Sequence, residues 1–288
     1  MLFVLLWSGG ALFAKWGLAN ASPFLFSAMR FGLALAVLSC NALVTRQPLL
    51  PCEGARWQVA RVGFVLSGLY AVFYLLALSN GVTPGVLATI LGVQPILTLV
   101  LTERPLSKRR LAGLTIALGG LVLVVFTSIL KARLGVPGIA FALAALAAMT
   151  FGTMEQKKID QPPSRVLPLQ YMVSVTLCLL LLPFESLRLD VNAGLLGSLF
   201  AMGVVISVLA TLLLYRLIRS GDLVNVTSLF YLVPPGTAIL DWLVFGNLLS
   251  TGAVVGMAAI IVGLAVVFKR PQTDSRPTPV VQETDVQV

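Results

Sequence analysis

Ten stretches of about 20 mostly apolar residues follow one another along this chain of 288 residues, and they constrain its fold more than any other feature. A helix needs about 20 such residues to cross about 30 Å of hydrocarbon, at about 1.5 Å rise per residue. The sequence therefore predicts an all-α membrane protein with ten transmembrane helices. The predicted spans are 2–19, 23–44, 61–80, 84–103, 110–128, 136–155, 167–184, 194–216, 223–245 and 250–268.

The segments between the predicted spans are short turns, such as Asn20-Ala21-Ser22. Only 11% of the residues are charged, against about a quarter in a soluble domain, so no soluble catalytic domain has room to fold. The end of the chain, 270–288, is polar and contains prolines 271, 277 and 279, which predicts a disordered tail.

The first apolar stretch has an alternative interpretation as a cleavable signal peptide, because Ala19-Asn20-Ala21 resembles a cleavage site. A signal peptide begins with basic residues and has an uncharged apolar stretch. Here Met1-Leu2-Phe3 carries no basic side chain and Lys15 lies inside the apolar stretch, so we interpret 2–19 as a membrane span.

Basic residues are distributed very unevenly between the two sides of the predicted bundle. Of the 20 Lys and Arg residues, fifteen lie on one side, three (Lys131, Arg133 and Arg188) on the other, and Lys15 and Arg30 within spans. Basic residues collect on the cytoplasmic face of membrane proteins. We therefore expect a cytoplasmic (inner) membrane protein with both termini in the cytoplasm, and we attribute the net charge of +9 to topology rather than to nucleic-acid binding.

Catalytic chemistry has few candidate residues in this sequence. The chain contains no histidine and only three isolated cysteines, which gives no predicted metal site and no cofactor. A membrane-embedded enzyme, the alternative from a different class of function, needs clustered acids or a nucleophile-base pair. The spans supply one lone acid away from their ends, Asp241.

The two halves of the chain, 1–134 and 135–269, resemble each other. Ser8-Gly9-Gly10 and Lys15 match Thr150-Phe151-Gly152 and Lys157 at an offset of 142 residues, and Gly113 and Gly120 match Gly256 and Gly263 at 143. Each half has five spans, an odd number, so the halves would run through the membrane in opposite directions. Inverted repeats are typical of secondary transporters, with the solute site between the halves. Apolar helices can also align by composition alone.

Several short motifs keep their order and spacing over nearly the whole chain. They are Trp7-Ser8-Gly9-Gly10, Met29-Arg30-Phe31, Val93-Gln94-Pro95, Glu103-Arg104-Pro105-Leu106-Ser107, Val233-Pro234 and Gly246-Asn247-Leu248-Leu249-Ser250. In these the chain resembles the EamA family of the drug/metabolite transporter superfamily, although the family usually has glutamate where Asn247 stands. The resemblance implies an exporter of small metabolites or amino acids, and some members handle aromatic amino acids.

Charged residues inside spans are costly and usually face a cavity or a partner. Lys15 and Arg30 are predicted to lie near the outer ends of the first two helices, where they could bind a carboxylate in an outer vestibule or extend outward to water. Asp241 could pair with either of them or titrate alone as a proton-coupling acid.

Hydroxyl and aromatic residues recur at helical spacing in the third span. Ser67, Tyr70, Tyr74 and Ala77 share one face, which either lines a cavity or packs against another helix. We interpret a similar stripe in the eighth span as interhelical packing, because hydroxyls in spans often bond across helices. This second stripe consists of Ser207, Thr211 and Tyr215.

Prolines interrupt the middle of two spans that are equivalent in the two halves. Pro95 lies in the fourth span, and Pro234 and Pro235 lie in the ninth. Broken helices at matching places point to a transport site, although simple kinks are the alternative. With the residues beside these breaks, the candidate solute-binding residues are Trp7, Lys15, Arg30, Tyr70, Tyr74, Gln94, Thr98, Ser228 and Tyr231.

The sequence thus predicts a secondary transporter that exports a small metabolite by alternating access. Its expected partners are the lipid bilayer and a small-molecule solute. The alternative within transport is a carrier of anionic, phosphorylated or nucleotide-linked solutes, which would suit Lys15 and Arg30. Small-residue faces in the fifth and tenth spans predict close helix packing, either within a monomer or across a homodimer.

Overall fold

The structure is a computed structural model that describes residues 2–130, 135–245 and 250–269. Within these ranges, side chains are described except those of residues 11, 12, 127, 128, 241, 244 and 245. The predictions about the tail 270–288 and about the side chain of Asp241 lie outside the described residues.

Regular structure in these ranges is helical, apart from one isolated bridge between Ala21 and Leu189. One long helix, α5 (Lys108–Val124), has 17 residues and is followed by the short helix Phe126–Leu130. Nine other helices in the described ranges are long and apolar enough to span a membrane. They are α1 (Leu2–Asn20), α2 (Pro23–Val44), α3 (Glu53–Ser79), α4 (Pro84–Thr102), α6 (Val136–Lys157), α7 (Pro163–Phe184), α8 (Ala193–Ser220), α9 (Leu223–Leu240) and α10 (Thr251–Phe268). The predicted all-helical membrane architecture is confirmed.

Two of the helices are broken where the prolines predicted a break. In α4, the segment Pro84–Leu91 ends just before the segment Gln94–Thr102 begins. In α9, a 3-10 turn leads into Val233–Phe245, which extends beyond the span itself. Each proline lies in the first turn of the second segment, where its missing N–H leaves no intrahelical bond unmade. Each break therefore comes before its proline rather than at it. A third break, at Gly9 in α1, was not predicted.

Wide π-helical turns occupy the middle of α3 and α8, over Gly63–Leu69 and Phe200–Ala210. Glycines in these turns allow a neighbouring helix to approach closely. A Cβ atom built on Gly63 would lie 2.6 Å from Cα of Gln170 in α7, and one on Gly203 would lie 3.1 Å from the carbonyl oxygen of Arg30 in α2. These contacts fasten α3 to α7 and α8 to α2.

The small-residue faces of α5 and α10 pack against each other within the chain. A Cβ atom on Gly120 would lie 2.5 Å from the carbonyl oxygen of Gly256, and one on Gly263 would lie 2.5 Å from that of Gly113. The two contacts show that the helices are antiparallel and touch backbone to backbone. Of the two uses predicted for these faces, packing within the monomer is the one observed.

Ion pairs gather at one end of the bundle, where α2, α4, α6 and α8 finish and α3, α5, α7 and α9 begin. We call this the basic end. Arg110 is only 15% exposed and pairs with Glu103, with Asp222 at 2.8 Å and with the amide oxygen of Asn225 at 2.8 Å. This Arg110 cluster connects the end of α4 and the start of α5 to the start of α9. Two further pairs at the same end are Arg61 with Glu155 and Arg219 with Asp160.

The opposite end, which we call the distal end, is held by a carboxylate at the start of α2. Glu185, in the connection after α7, accepts hydrogen bonds from the hydroxyl of Ser22 at 2.8 Å and from the backbone N–H groups of Phe24 and Leu25 at 3.0 Å. The first N–H groups of a helix have no partner within the helix, and the helix dipole favours a negative charge there. Glu185 therefore caps α2 from a distant part of the chain.

Replacing Glu185 with alanine is expected to lower the free energy of unfolding by about 1.5–3 kcal/mol, the usual contribution of hydrogen bonds to a charged group. Glu185→Gln keeps an accepting oxygen and loses only the charge, so its cost is smaller. Thermal unfolding in detergent micelles measures both. Glu53→Ala is the control, because Glu53 is 88% exposed and its one ion pair with a described residue is with Arg56 in its own helix. Equal melting temperatures for the two alanine variants would contradict the capping role.

Candidate functional site

A cavity of about 450 Å³ lies between the helices. This is within the range of about 300–1,000 Å³ typical of small-molecule sites. Its described lining comes from α1 through α9, and no described residue of α10 takes part. The cavity is therefore enclosed by both halves of the chain.

The lining is closer to one end of the bundle than to the other. It reaches the distal end at Pro84, the first residue of α4, and at Val125, just beyond α5. Toward the basic end it stops about one helical turn inside, at Thr153 and Val226. None of the ion-paired residues of the basic end lines the cavity. The described lining thus reaches the distal end at α4 and α5, and it stops short of the ion-paired residues of the basic end.

Aromatic rings form much of the cavity wall. Tyr70 and Tyr74, one turn apart in α3, have ring centroids 5.8 Å apart. Trp7 of α1 packs edge to face on Phe230 of α9 at 5.5 Å. Such surfaces suit a flat apolar group, because π faces and edges attract other rings. The other aromatic residues of the described lining are Phe26, Phe31, Tyr171 and Tyr215.

Arg30 of α2 is the one charged side chain among the described lining residues. Its guanidinium carbon lies 4.4 Å from the ring centroid of Phe31, and Tyr70, Tyr74 and Tyr171 are within electrostatic range. Arg30 makes no ion pair with a described residue. Its Nε atom is buried and has no hydrogen-bond partner among the described residues. Among the described residues, the site therefore presents a positive charge that no acidic side chain compensates.

Buried amides and hydroxyls connect the helices around the cavity. Gln94 of α4 donates to the hydroxyl of Thr153 in α6 at 3.2 Å. Tyr215 of α8 donates to the amide oxygen of Gln170 in α7 at 2.6 Å, and the amide nitrogen of Gln170 donates to Gln156 of α6 at 2.8 Å. Because Tyr215 is anchored through its hydroxyl, its ring has a fixed position in the cavity wall.

The structure separates the predicted solute-binding residues into two groups. Those that line the cavity are Trp7, Arg30, Tyr70, Tyr74 and Gln94, together with Pro234 at one helix break. Those that do not line it are Lys15, Thr98, Ser228 and Tyr231, and also Pro95 and Pro235.

Each residue outside the lining has a local reason for its position. Lys15 is exposed on α1, since Ala14 faces the cavity and the next residue of a helix points about 100° away. Thr98 and Ser228 donate their hydroxyls to the carbonyl oxygens four residues earlier in their own helices, at 2.9 and 2.6 Å. Tyr231 is buried in an apolar cluster with Leu99. The expectation that Lys15 shares a vestibule with Arg30 is corrected accordingly.

The hydroxyl stripe of α8 was interpreted as interhelical packing, and Tyr215 does bond across to Gln170 of α7, but the stripe also faces the cavity. Ser207, Thr211 and Tyr215 all line the cavity. Tyr171 of α7 also lines it and donates its hydroxyl to the carbonyl oxygen of Ser207, although nothing in the sequence singled it out. The stripe of α8 repeats every four residues, a helical spacing similar to that of the α3 stripe, and this spacing was the signal available.

The sequence profile of the EamA-like transporter family matches this chain twice, at residues 1–126 and 136–269. The chain belongs to the EamA-like transporter family. This EamA-like protein is 24% identical over 256 residues to the probable amino-acid metabolite efflux pump of Escherichia coli (strain K12), covering 87% of this chain and 76% of that one. It is 25% identical over 257 residues to the protein of the same name from Salmonella typhimurium, with the same coverage.

Solved structures include one with the same fold as this EamA-like protein. It is a crystal structure with a TM-score of 0.80 and 22% sequence identity, covering 93% of this chain and 94% of the other. Together these findings confirm the resemblance inferred from the sequence motifs. The protein is a multi-pass membrane protein of a transporter family rather than of an enzyme family.

Proposed function

We propose that this protein is a secondary transporter that exports small metabolites, including amino acids and aromatic compounds of similar size, across the cytoplasmic membrane by alternating access. The observation that carries the proposal is a cavity rich in aromatic rings, whose described lining comes from nine helices and reaches one end of the bundle at α4 and α5. The relatives named as amino-acid metabolite efflux pumps support the same class of solute.

We infer further that the chain has ten spans, with α5 included, in two inverted repeats, 1–134 and 135–269. The family profile matches each half separately. Adding the offset of 143 residues to Gly113 gives Gly256, and adding it to Gly120 gives Gly263. Gly113 contacts Gly263, and Gly120 contacts Gly256. Exchanging each of the four glycines for its counterpart in the other half converts the first contact into the second. A pseudo-two-fold axis between α5 and α10 would produce this pairing.

Orientation follows from charge. The basic end carries Arg61, Arg110 and Arg219, each paired with an acid. Because basic residues collect in the cytoplasm, we assign this end and both termini to the cytoplasmic side. The cavity in this conformation then faces away from the cytoplasm, and the Arg110 cluster belongs to its closed side.

Proteoliposomes loaded with an unlabelled amino acid or aromatic carboxylate, with a trace of the labelled solute outside, test the transport function directly by counterflow. Tyr74→Ala is expected to reduce the transport rate about tenfold per folded molecule, because the variant removes one ring of the cavity wall and about 1.4 kcal/mol of contact. Tyr70→Ala should act similarly.

Phe73→Ala is the matched control, since Phe73 stacks on Phe141 of α6 and does not line the cavity. It should lower stability more than transport per folded molecule. Equal losses of transport in Tyr74→Ala and Phe73→Ala would show that both residues act through packing. Failure of every solute to exchange would contradict the transport function.

A further inference from the structure

We propose that the cavity selects aromatic monocarboxylates, as net anions, over zwitterionic amino acids and neutral amides, and that Arg30 binds the carboxylate. This inference rests on the proposed transport function and names the substrate class of the same site.

The first step is the charge of Arg30. A cation inside a membrane span ordinarily has an acidic partner. Arg30 has none among the described residues, and its Nε donor is buried and unused. A planar guanidinium can bind one carboxylate through two parallel hydrogen bonds. A bound carboxylate would therefore neutralise the charge and use the free donors.

The second step is the lack of a counterpart for an ammonium group. The described lining contains no Asp or Glu. The α-ammonium of an amino acid lies next to its carboxylate, so binding at Arg30 would bring two positive charges close together in a poorly solvated place. Like charges at that range repel strongly when water is excluded. An acid that lacks the ammonium avoids this cost.

The third step concerns size and the number of cations. A cavity of about 450 Å³ with the Tyr70–Tyr74 and Trp7–Phe230 pairs in its wall suits a flat ring a few atoms away from the carboxylate. A phosphate ester carries nearly two negative charges at neutral pH. With one cation in the described lining, an excess negative charge would stay buried, which disfavours the phosphorylated solutes.

Four ligands with the same ring test the proposal on the purified protein in detergent micelles. They are 3-phenylpropanoate, 3-phenylpropanamide, phenylalanine and phenethylamine, which differ only in carboxylate and ammonium. Equilibrium binding of the labelled compounds should show the propanoate at least tenfold tighter than the amide and than phenylalanine, and phenethylamine weakest. Because the order is measured on the wild-type protein, it does not depend on any variant folding.

Variants then assign the selectivity to Arg30. Arg30→Met should weaken propanoate binding at least tenfold and amide binding much less, while Arg30→Lys should restore part of the loss. Lys15→Met is the control, since Lys15 is an exposed cation outside the lining, and it should change nothing.

Phenylalanine binding as tightly as the propanoate would overturn the proposal. Loss of that binding in Asp241→Asn would then assign the ammonium to Asp241. Equal binding of the propanoate and the amide would overturn it as well, and so would unchanged propanoate binding in a folded Arg30→Met. If none of the four ligands binds while proteoliposomes still transport other solutes, the substrate class is wrong and the transport function stands. Absence of all transport rejects the transport function itself.

Discussion

Leucine in place of Gly120 is expected to prevent the protein from folding, whereas leucine at the adjacent Gly119 leaves it intact. A Cβ atom at 120 would lie 2.5 Å from the carbonyl oxygen of Gly256 and 2.9 Å from the backbone nitrogen of Ile260. Backbone atoms cannot rotate away as a side chain can. Overpacking by a few methylenes already costs about 1–3 kcal/mol, and a whole leucine between two touching backbones costs more. That is a large part of a typical stability of about 5–15 kcal/mol.

Gly119 is the matched control because a Cβ atom there meets nothing within 4 Å. Its replacement also removes the entropic cost of a glycine in a helix, about 1 kcal/mol. Yield of monodisperse protein and melting temperature in detergent, compared for alanine and leucine at both positions, measure the difference. We expect Gly119→Ala to melt at or above the wild-type temperature and Gly120→Ala well below it. Similar behaviour at the two positions would contradict the close contact of α5 and α10.

Methionine at Arg110 is expected to abolish most of the transport while the protein remains folded. Arg110 holds Glu103 and Asp222 together across the basic end, with 15% of its side chain exposed. Removing the cation from a partly desolvated pair costs about 2–5 kcal/mol and leaves two carboxylates facing each other. The basic end would then open more readily, and the cavity could no longer be held accessible from one side only.

Arg109→Met is the control, because Arg109 forms no ion pair with a described residue. Adding Glu103→Gln and Asp222→Asn to Arg110→Met should restore part of the transport, since the unpaired carboxylates are removed. A cysteine at Thr153, in a variant without the native cysteines, should react faster with a reagent applied at the basic end when Arg110 is methionine. Normal transport and unchanged labelling in Arg110→Met would exclude a role in closing that end.

Much of the fold follows from the sequence, because a membrane limits the choices. Segment length and apolar content predict the spans, and the prolines at 95 and 234 predict the breaks in α4 and α9. The π-helical turns of α3 and α8 could not be predicted in the same way. They depend on how closely Gly63 and Gly203 approach residues of other helices, and periodicity along one helix does not contain that information.

The site was predictable where a residue type is costly in a membrane. Arg30 and the tyrosine face of α3 stood out for that reason, and both line the cavity. Lys15 stood out equally but is exposed, because it follows Ala14, which lines the cavity, and consecutive residues of a helix point about 100° apart. The place of the α8 stripe in the lining was not predicted, and Tyr171 was not singled out, because a hydroxyl can bond within its own helix, across helices or to a solute. Only the arrangement of neighbouring helices decides among these.

Arg30, the one cation in the described lining of the cavity, has an electrical consequence. Moving one elementary charge through a membrane potential of 100 mV changes the free energy by about 2.3 kcal/mol. With Arg30 as the one charge in the described lining, an empty cavity is positive and a cavity holding a monocarboxylate is neutral. In the proposed export cycle, the loaded step is then insensitive to voltage, while the return of the empty carrier moves positive charge toward the cytoplasm. A negative interior therefore accelerates the resetting step, and the membrane voltage itself supports export of the anion.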